Sequence, residues 1–199
     1  MQKVFLIYAR FPGKREKPMN KQNSTVMKLA ETALLAALCY VSFTFLQIKI
    51  PVPGGDATSL HIGNTFCVLG ALLLGGWYGG LAGSIGMTIA DLMDPVYITG
   101  APKTFVLKLC IGLITGLVAH KIAKINETND KKYVFKWSLI ASIAGLAFNV
   151  IADPIVGYFY KQYILGQPQE VAGILAKLSA GATFVNAIVS TILAVIIYN

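Results

Sequence analysis

Asp91 and Lys108 stand in otherwise apolar sequence, on either side of a turn punctuated by Pro95, Gly100 and Pro102, within GMTIADLMDPVYITGAPKTFVLKLCIGLITGLV at 86–118. The stretch reads as a helical hairpin. At 1.5 Å of rise per residue, Asp91 lies roughly 6 Å before Pro95 and Lys108 roughly 9 Å beyond Pro102, so the two groups share a depth. An ionisable side chain inside a membrane helix costs about 2.5–3.5 kcal/mol on the insertion scale and normally faces a bundle interior or wet cavity, with a partner. The pair is therefore a candidate binding site. The structural alternative is that the two simply pair as interhelical glue, or snorkel outward near the helix ends.

Further polar residues fall in later apolar runs. Asn149, Asp153 and Gly157 recur at i, i+4, i+8 on one helical face. Lys177, Thr183 and Asn186 are polar entries in the last run, and Tyr97, Tyr158, Tyr160 and Tyr163 offer rings for stacking. Each has a plainer reading: Asp153-Pro154 ends or kinks a helix, and tyrosines collect in the headgroup belt. Catalytic patterns are missing. There is no His-Glu-x-x-His, no Gly-x-Ser-x-Gly, no phosphate-binding glycine loop ending in Lys-Ser/Thr and no metal-ligand cluster. His61 and His120 are the two histidines, and they are expected at opposite ends of the molecule. Cys39, Cys67 and Cys110 sit singly in apolar runs, as buried, reduced and inert thiols would. The expectation is a protein without enzymatic activity, metal or cofactor.

The elements that must position these residues are membrane helices. Mean hydropathy is +0.64, and 13% of residues are charged, against about 25% in soluble proteins. A chain of 199 residues holds one bundle of roughly six spans of about 20 residues. Although the net charge is +8, the lysines and arginines concentrate in two blocks flanking apolar runs. That pattern sets topology and argues against a nucleic-acid partner.

In chain order, residues 1–25 form a basic tail, with Arg10, Lys14, Arg15, Lys17 and Lys21 following a short apolar piece, the wrong order for a cleaved signal peptide. Residues 26–199 form one all-α domain. The first span is expected at 26–48, a Pro/Gly loop at 49–60, and two short spans at 61–93, broken by GGWYGG at 75–80. Trp77 and Tyr78 would sit at the interface. The fourth span is expected near 102–119, the fifth within 133–158, a polar-aromatic loop at 159–170 and the sixth near 171–198.

With six spans, the basic tail shares a side with Lys121, Lys124, Lys131, Lys132 and Lys136, while the opposite loops hold Lys49, Lys103, Lys161 and Lys177. The positive-inside rule then puts both termini in the cytoplasm. On this topology Asp91, Tyr97, Lys108, Asn149, Asp153, Lys177 and Asn186 converge toward the outer face. That is the layout of a substrate cavity open to the outside.

The Ala-rich first span, the block HIGNTFCVLGALLLGGWYGGLAGSIGMTIADL and the hairpin DPVYITGAPKTFVLKLCIGLITGLVAHKI resemble the substrate-binding membrane subunits, or S components, of energy-coupling-factor (ECF) vitamin transporters, in their riboflavin-transporter-like group. The resemblance covers the chain from about Val26. It implies a receptor in the prokaryotic plasma membrane that captures a water-soluble vitamin outside. It further implies delivery through a transmembrane coupling (T) subunit and two cytoplasmic ATPases. In that family an Ala-x-x-x-Ala pair on the first helix contacts the coupling subunit, and Ala33 and Ala37 match the spacing. Substrate identity does not carry over, because the family takes flavins, thiamine, biotin, folates, pantothenate and other precursors. The competing class is a self-sufficient proton-coupled carrier, with Asp and Lys as a relay; no inverted repeat between 26–93 and 102–198 supports it.

Topology is directly testable. In intact cells an impermeant thiol reagent should label Thr58→Cys and spare Asn129→Cys; the reverse pattern inverts the orientation and removes the outer site.

Overall fold

The computed structural model describes residues 21–52 and 56–199, so most of the basic tail, from Arg10 to Lys17, lies outside the described residues. Six helices follow in order: α1 (Lys21–Phe45), α2 (Gly63–Leu74), α3 (Gly76–Met93), α4 (Ala101–Gly116), α5 (Lys131–Phe159) and α6 (Gln169–Tyr198). Four stretches are long and apolar enough to cross a membrane: Ser24–Phe45, Ile98–Ile122, Lys131–Ile164 and Gln169–Tyr198. The expected pair of short spans is α2 and α3. They part at Gly75, whose φ of 95° suits a residue without a side chain. With 12 residues, α2 rises only about 18 Å.

The region expected as a plain loop is a β-hairpin. Strands β1 (Gln47–Val52) and β2 (Asp56–His61) pair antiparallel, in register from Gln47 against His61 to Val52 against Asp56. The expected loop at 159–170 likewise begins as a π-helical turn, Tyr160–Ile164, continuing α5. α5 also runs straight through Pro154, so Asp153-Pro154 does not end it.

Polarity is turned inside out relative to a soluble bundle. Along α6 the exposed residues include Phe184, Val185, Ile188, Val189, Ile192 and Ile196, while Thr183, Asn186, Ser190 and Thr191 are buried. A surface of this kind is stable only where the surroundings are apolar, so this is a membrane protein. Inside, Cys39, Cys67, Val68, Leu72, Met87, Ile111 and Leu146 form the apolar core. All three cysteines are free; Cys39 and Cys67 are buried as expected, but Cys110 is only half-buried.

Between membrane helices no hydrophobic effect drives association, and close packing of small residues takes its place. α3 is built for it. A β-carbon at Gly79 would collide with the backbone of Ala71, one at Gly83 with the Cys67 side chain and one at Gly86 with the Ala36 carbonyl. On the α4 side, a β-carbon at Gly80 would lie 2.8 Å from the Leu109 carbonyl oxygen, and one at Gly112 would strike Gly80. By contrast, a β-carbon at Gly173 of α6 meets nothing within 4 Å. We therefore expect Gly112→Ala to lower stability by about 1–3 kcal/mol through overpacking, and Gly173→Ala to be neutral or to stabilise by up to about 1 kcal/mol. Thermal unfolding in detergent reads both. Equal effects at the two positions would remove the close-packing account.

Candidate functional site

One end of the bundle encloses a cavity of about 130 Å³ between the hairpin, the α3–α4 turn and the facing ends of α5 and α6. Six of the seven residues expected at the site line it: Asp91, Tyr97, Lys108, Asn149, Asp153 and Asn186. Lys177 does not. It is exposed on α6 and outside the lining, whereas Ser179, two residues on, lines the cavity. Of the rim tyrosines, Tyr97 and Tyr160 line it, while Tyr163 is 73% exposed and stacks on Phe159.

The charged groups are arranged differently from a simple Asp91–Lys108 pair. Both are buried, at 3% and 8% exposure, but among the described residues Lys108 makes no ion pair within 4 Å. Thr104, one turn before Lys108, supplies the hydroxyl beside Asp91. The ion pair forms instead from Lys103 to Asp153, at 2.8 Å between α4 and α5. Asp153 also accepts from Ser179 and, at 3.3 Å, from Thr183 of α6. One carboxylate thus joins three helices. Lys103, first taken for an outer-loop lysine, is the residue sequence reasoning missed; its signal is its place just after Pro102 in the first turn of α4. Ser179, Thr183 and Asn186 carry a second signal, an i, i+4, i+7 polar stripe.

Asn186 has a definite task. Its Oδ1 accepts from the His61 backbone N–H at 2.9 Å, and its Nδ2 donates to the Ser59 carbonyl at 2.9 Å. The amide therefore pins β2 to α6. At the other strand Lys49 pairs with Asp94, and its ammonium lies 5.4 Å from the Tyr97 ring centroid. Phe43 connects the two sides, edge-on to His61 at 4.7 Å and 5.9 Å from Tyr97. Burial, and then the nearby Lys108 charge, lowers the His61 pKa to about 3, so its ring is neutral. His61 Nδ1 accepts from the Gly63 N–H at 3.2 Å.

Two lining amides keep unused capacity. Asn64 and Asn149 are each 1% exposed, and the Oδ1 of each lacks a donor. His120 is at the other end, against the Ala71 carbonyl at 2.9 Å. Among the described residues no His/Cys/Asp/Glu group could hold a metal ion.

The Lys103–Asp153 pair makes a testable statement. Lys103→Met leaves a buried carboxylate without its cation and should cost about 3–5 kcal/mol. Asp153→Asn keeps partners for Ser179 and Thr183 and should cost less. Thermal unfolding in detergent measures both; equal losses below about 1 kcal/mol would mean that water screens the pair.

Comparison with known proteins fits this geometry. A search of curated protein sequences returns no match. Among solved structures, ThiT from Listeria monocytogenes superposes with a TM-score of 0.64 over 88% of this chain and 95% of its own, at 19% identity. That likeness shows the fold. The family model for the ECF-type riboflavin transporter S component matches residues 23–199. The chain belongs to that family of transporter S components, which is not a family of enzymes.

Proposed function

We propose that this chain is the capture subunit of an ATP-driven ECF importer in the cell membrane, binding a water-soluble vitamin or related micronutrient from outside. The observation that carries this reading is the polar cavity at the hairpin end, lined by Asp91, Lys108, Asn149 and Asp153 in a bundle whose outer surface is apolar. Small-molecule sites are concave, with a few placed polar groups, and this one has them. In this reading the six helices form one domain across residues 26–199, with the basic tail ahead of it. All six helices span the membrane, α2 and α3 as its short members, and both termini are cytoplasmic. Exposure of Lys121, Lys124, Lys131, Lys132 and Lys136 at the end away from the cavity supports that orientation.

In this reading the energy comes from partners, a T subunit and two ATPases, of the kind membership in the S-component family implies. Ala33 and Ala37 are exposed on one face of α1, and their small size would let another helix approach closely. Replacing both with leucine should abolish uptake by the full complex and leave binding by the isolated subunit within about twofold. Equal loss of binding and uptake would make them internal packing. Proton-coupled uptake by the chain alone in liposomes would overturn the importer reading in favour of a self-sufficient carrier.

A further inference from the structure

The charges around the cavity bear on what it takes, given the reading of it as a capture site. Four charged side chains, each no more than 15% exposed, belong to its lining: Asp91 and Lys108, and the Lys103–Asp153 pair. Two carboxylates and two ammonium groups cancel. At the rim, Lys49 and Asp94 cancel as well. Lys161, a further charged lining residue among those described, is only half-buried and already engaged. A captured molecule with a net charge would bring that charge beside buried groups that already balance, without a counter-ion, which is costly. A molecule without net charge avoids this.

Hydrogen-bonding capacity narrows the class further. Lys108 can only donate, and among the described residues no carboxylate lies within ion-pair distance of its ammonium. It calls for an acceptor atom. Asn64 and Asn149 each hold an Oδ1 that lacks a donor, and the last torsion of an asparagine is broad, so either amide can turn toward the cavity. Turned so, each Oδ1 would take an N–H group.

We infer that the molecule captured here carries no net charge at neutral pH and presents a polar edge with both an acceptor, toward Lys108, and N–H donors, toward Asn64 and Asn149. The acceptor answers the lone ammonium without adding charge, and the donors answer the two amides. An anion would satisfy Lys108 but leave the amides unanswered and the count over the four buried charges at minus one.

The test has two arms on the intact chain. Small molecules released from protein purified out of its membrane are identified by mass spectrometry, and their charge at pH 7 is read from their structure. In parallel the chain is titrated calorimetrically with ring-matched pairs: riboflavin and flavin mononucleotide, nicotinamide and nicotinate, biotinamide and biotin, with thiamine as a cation. The expected result is an uncharged released molecule, or a neutral member bound at least about tenfold tighter than its ionised twin. Asp91→Asn, which leaves one ammonium in excess, should narrow that gap by raising affinity for the anion.

A charged released molecule, or tighter binding of an anion or cation by the parent chain, overturns the inference and leaves the capture reading standing. So does a gap that Asp91→Asn does not move. No released molecule and no binding of any probe would overturn the capture reading, and this inference with it.

Discussion

The structure depends on how near α3 lies to its neighbours. Gly79 and Gly83 bring it onto α2, Gly86 onto α1, and Gly80, with Gly112 opposite, onto α4. At Gly79, Gly80, Gly86 and Gly112 a side chain would have to displace a backbone, and at Gly83 the Cys67 side chain. In lipid, where apolar surface gains little from leaving one apolar surrounding for another, such contact is what holds helices together. It also fixes the site. The last turn of α3 carries Asp91 and the first turns of α4 carry Lys103, Thr104 and Lys108, so their relative depth follows from the glycine contacts below them.

Apolar surroundings also explain why the cavity is so strongly organised. A charge that a soluble protein would leave at its surface has here to be met inside, and Asp153 shows the result: Lys103, Ser179 and Thr183 bond one carboxylate from two other helices. Unmet groups are then informative. Lys108, Asn64 and Asn149 lie in the same lining, in a site otherwise closely bonded. Asp153 and Asn186, both expected at the substrate site, line the cavity and also bond one element of the framework to another.

Much of this was legible in sequence, for physical reasons. Proline and glycine mark the helix breaks, and Gly75 parts α2 from α3 within the stretch expected to break. Residues at i, i+4 share a face, so Asn149 and Asp153 line one cavity. Lys177 lies outside the lining for the same kind of reason, its rotation about the α6 axis. At 100° per residue it lies about 200° from Ser179, and so away from the stripe that Ser179, Thr183 and Asn186 form. The hairpin was missed because QIKIPV alternates over only six residues and holds Pro51, which demotes a strand signal. Lys103 was missed because proline-flanked lysines read as loop, although Pro102 is well placed to open a helix and its neighbour's long side chain reaches Asp153.

The hairpin is held at two places that differ in kind, and the difference bears on how the hold responds to acid. At β2 a buried amide, Asn186, bonds two backbone groups. At β1 a partly exposed ion pair joins Lys49 to Asp94, where competing water makes it the weaker hold. The titratable group at each place, His61 at β2 and Asp94 at β1, responds to acid in the same direction. His61, neutral in the closed hairpin with its pKa lowered to about 3 by burial and by Lys108, would regain an ordinary pKa near 6.5 once exposed. Below that value the open form binds a proton that the closed form refuses, so closure weakens as pH falls from there. Burial raises the Asp94 pKa, but its bonds to Lys49 and the Val96 N–H outweigh that and hold it below the ordinary carboxylate value. Its contribution to closure is present above that value and lost as pH falls through it. Both groups therefore make the hairpin's hold on the bundle weaker in acid, and the buried Asn186 amide, which does not titrate, is the part of that hold that acid leaves unchanged.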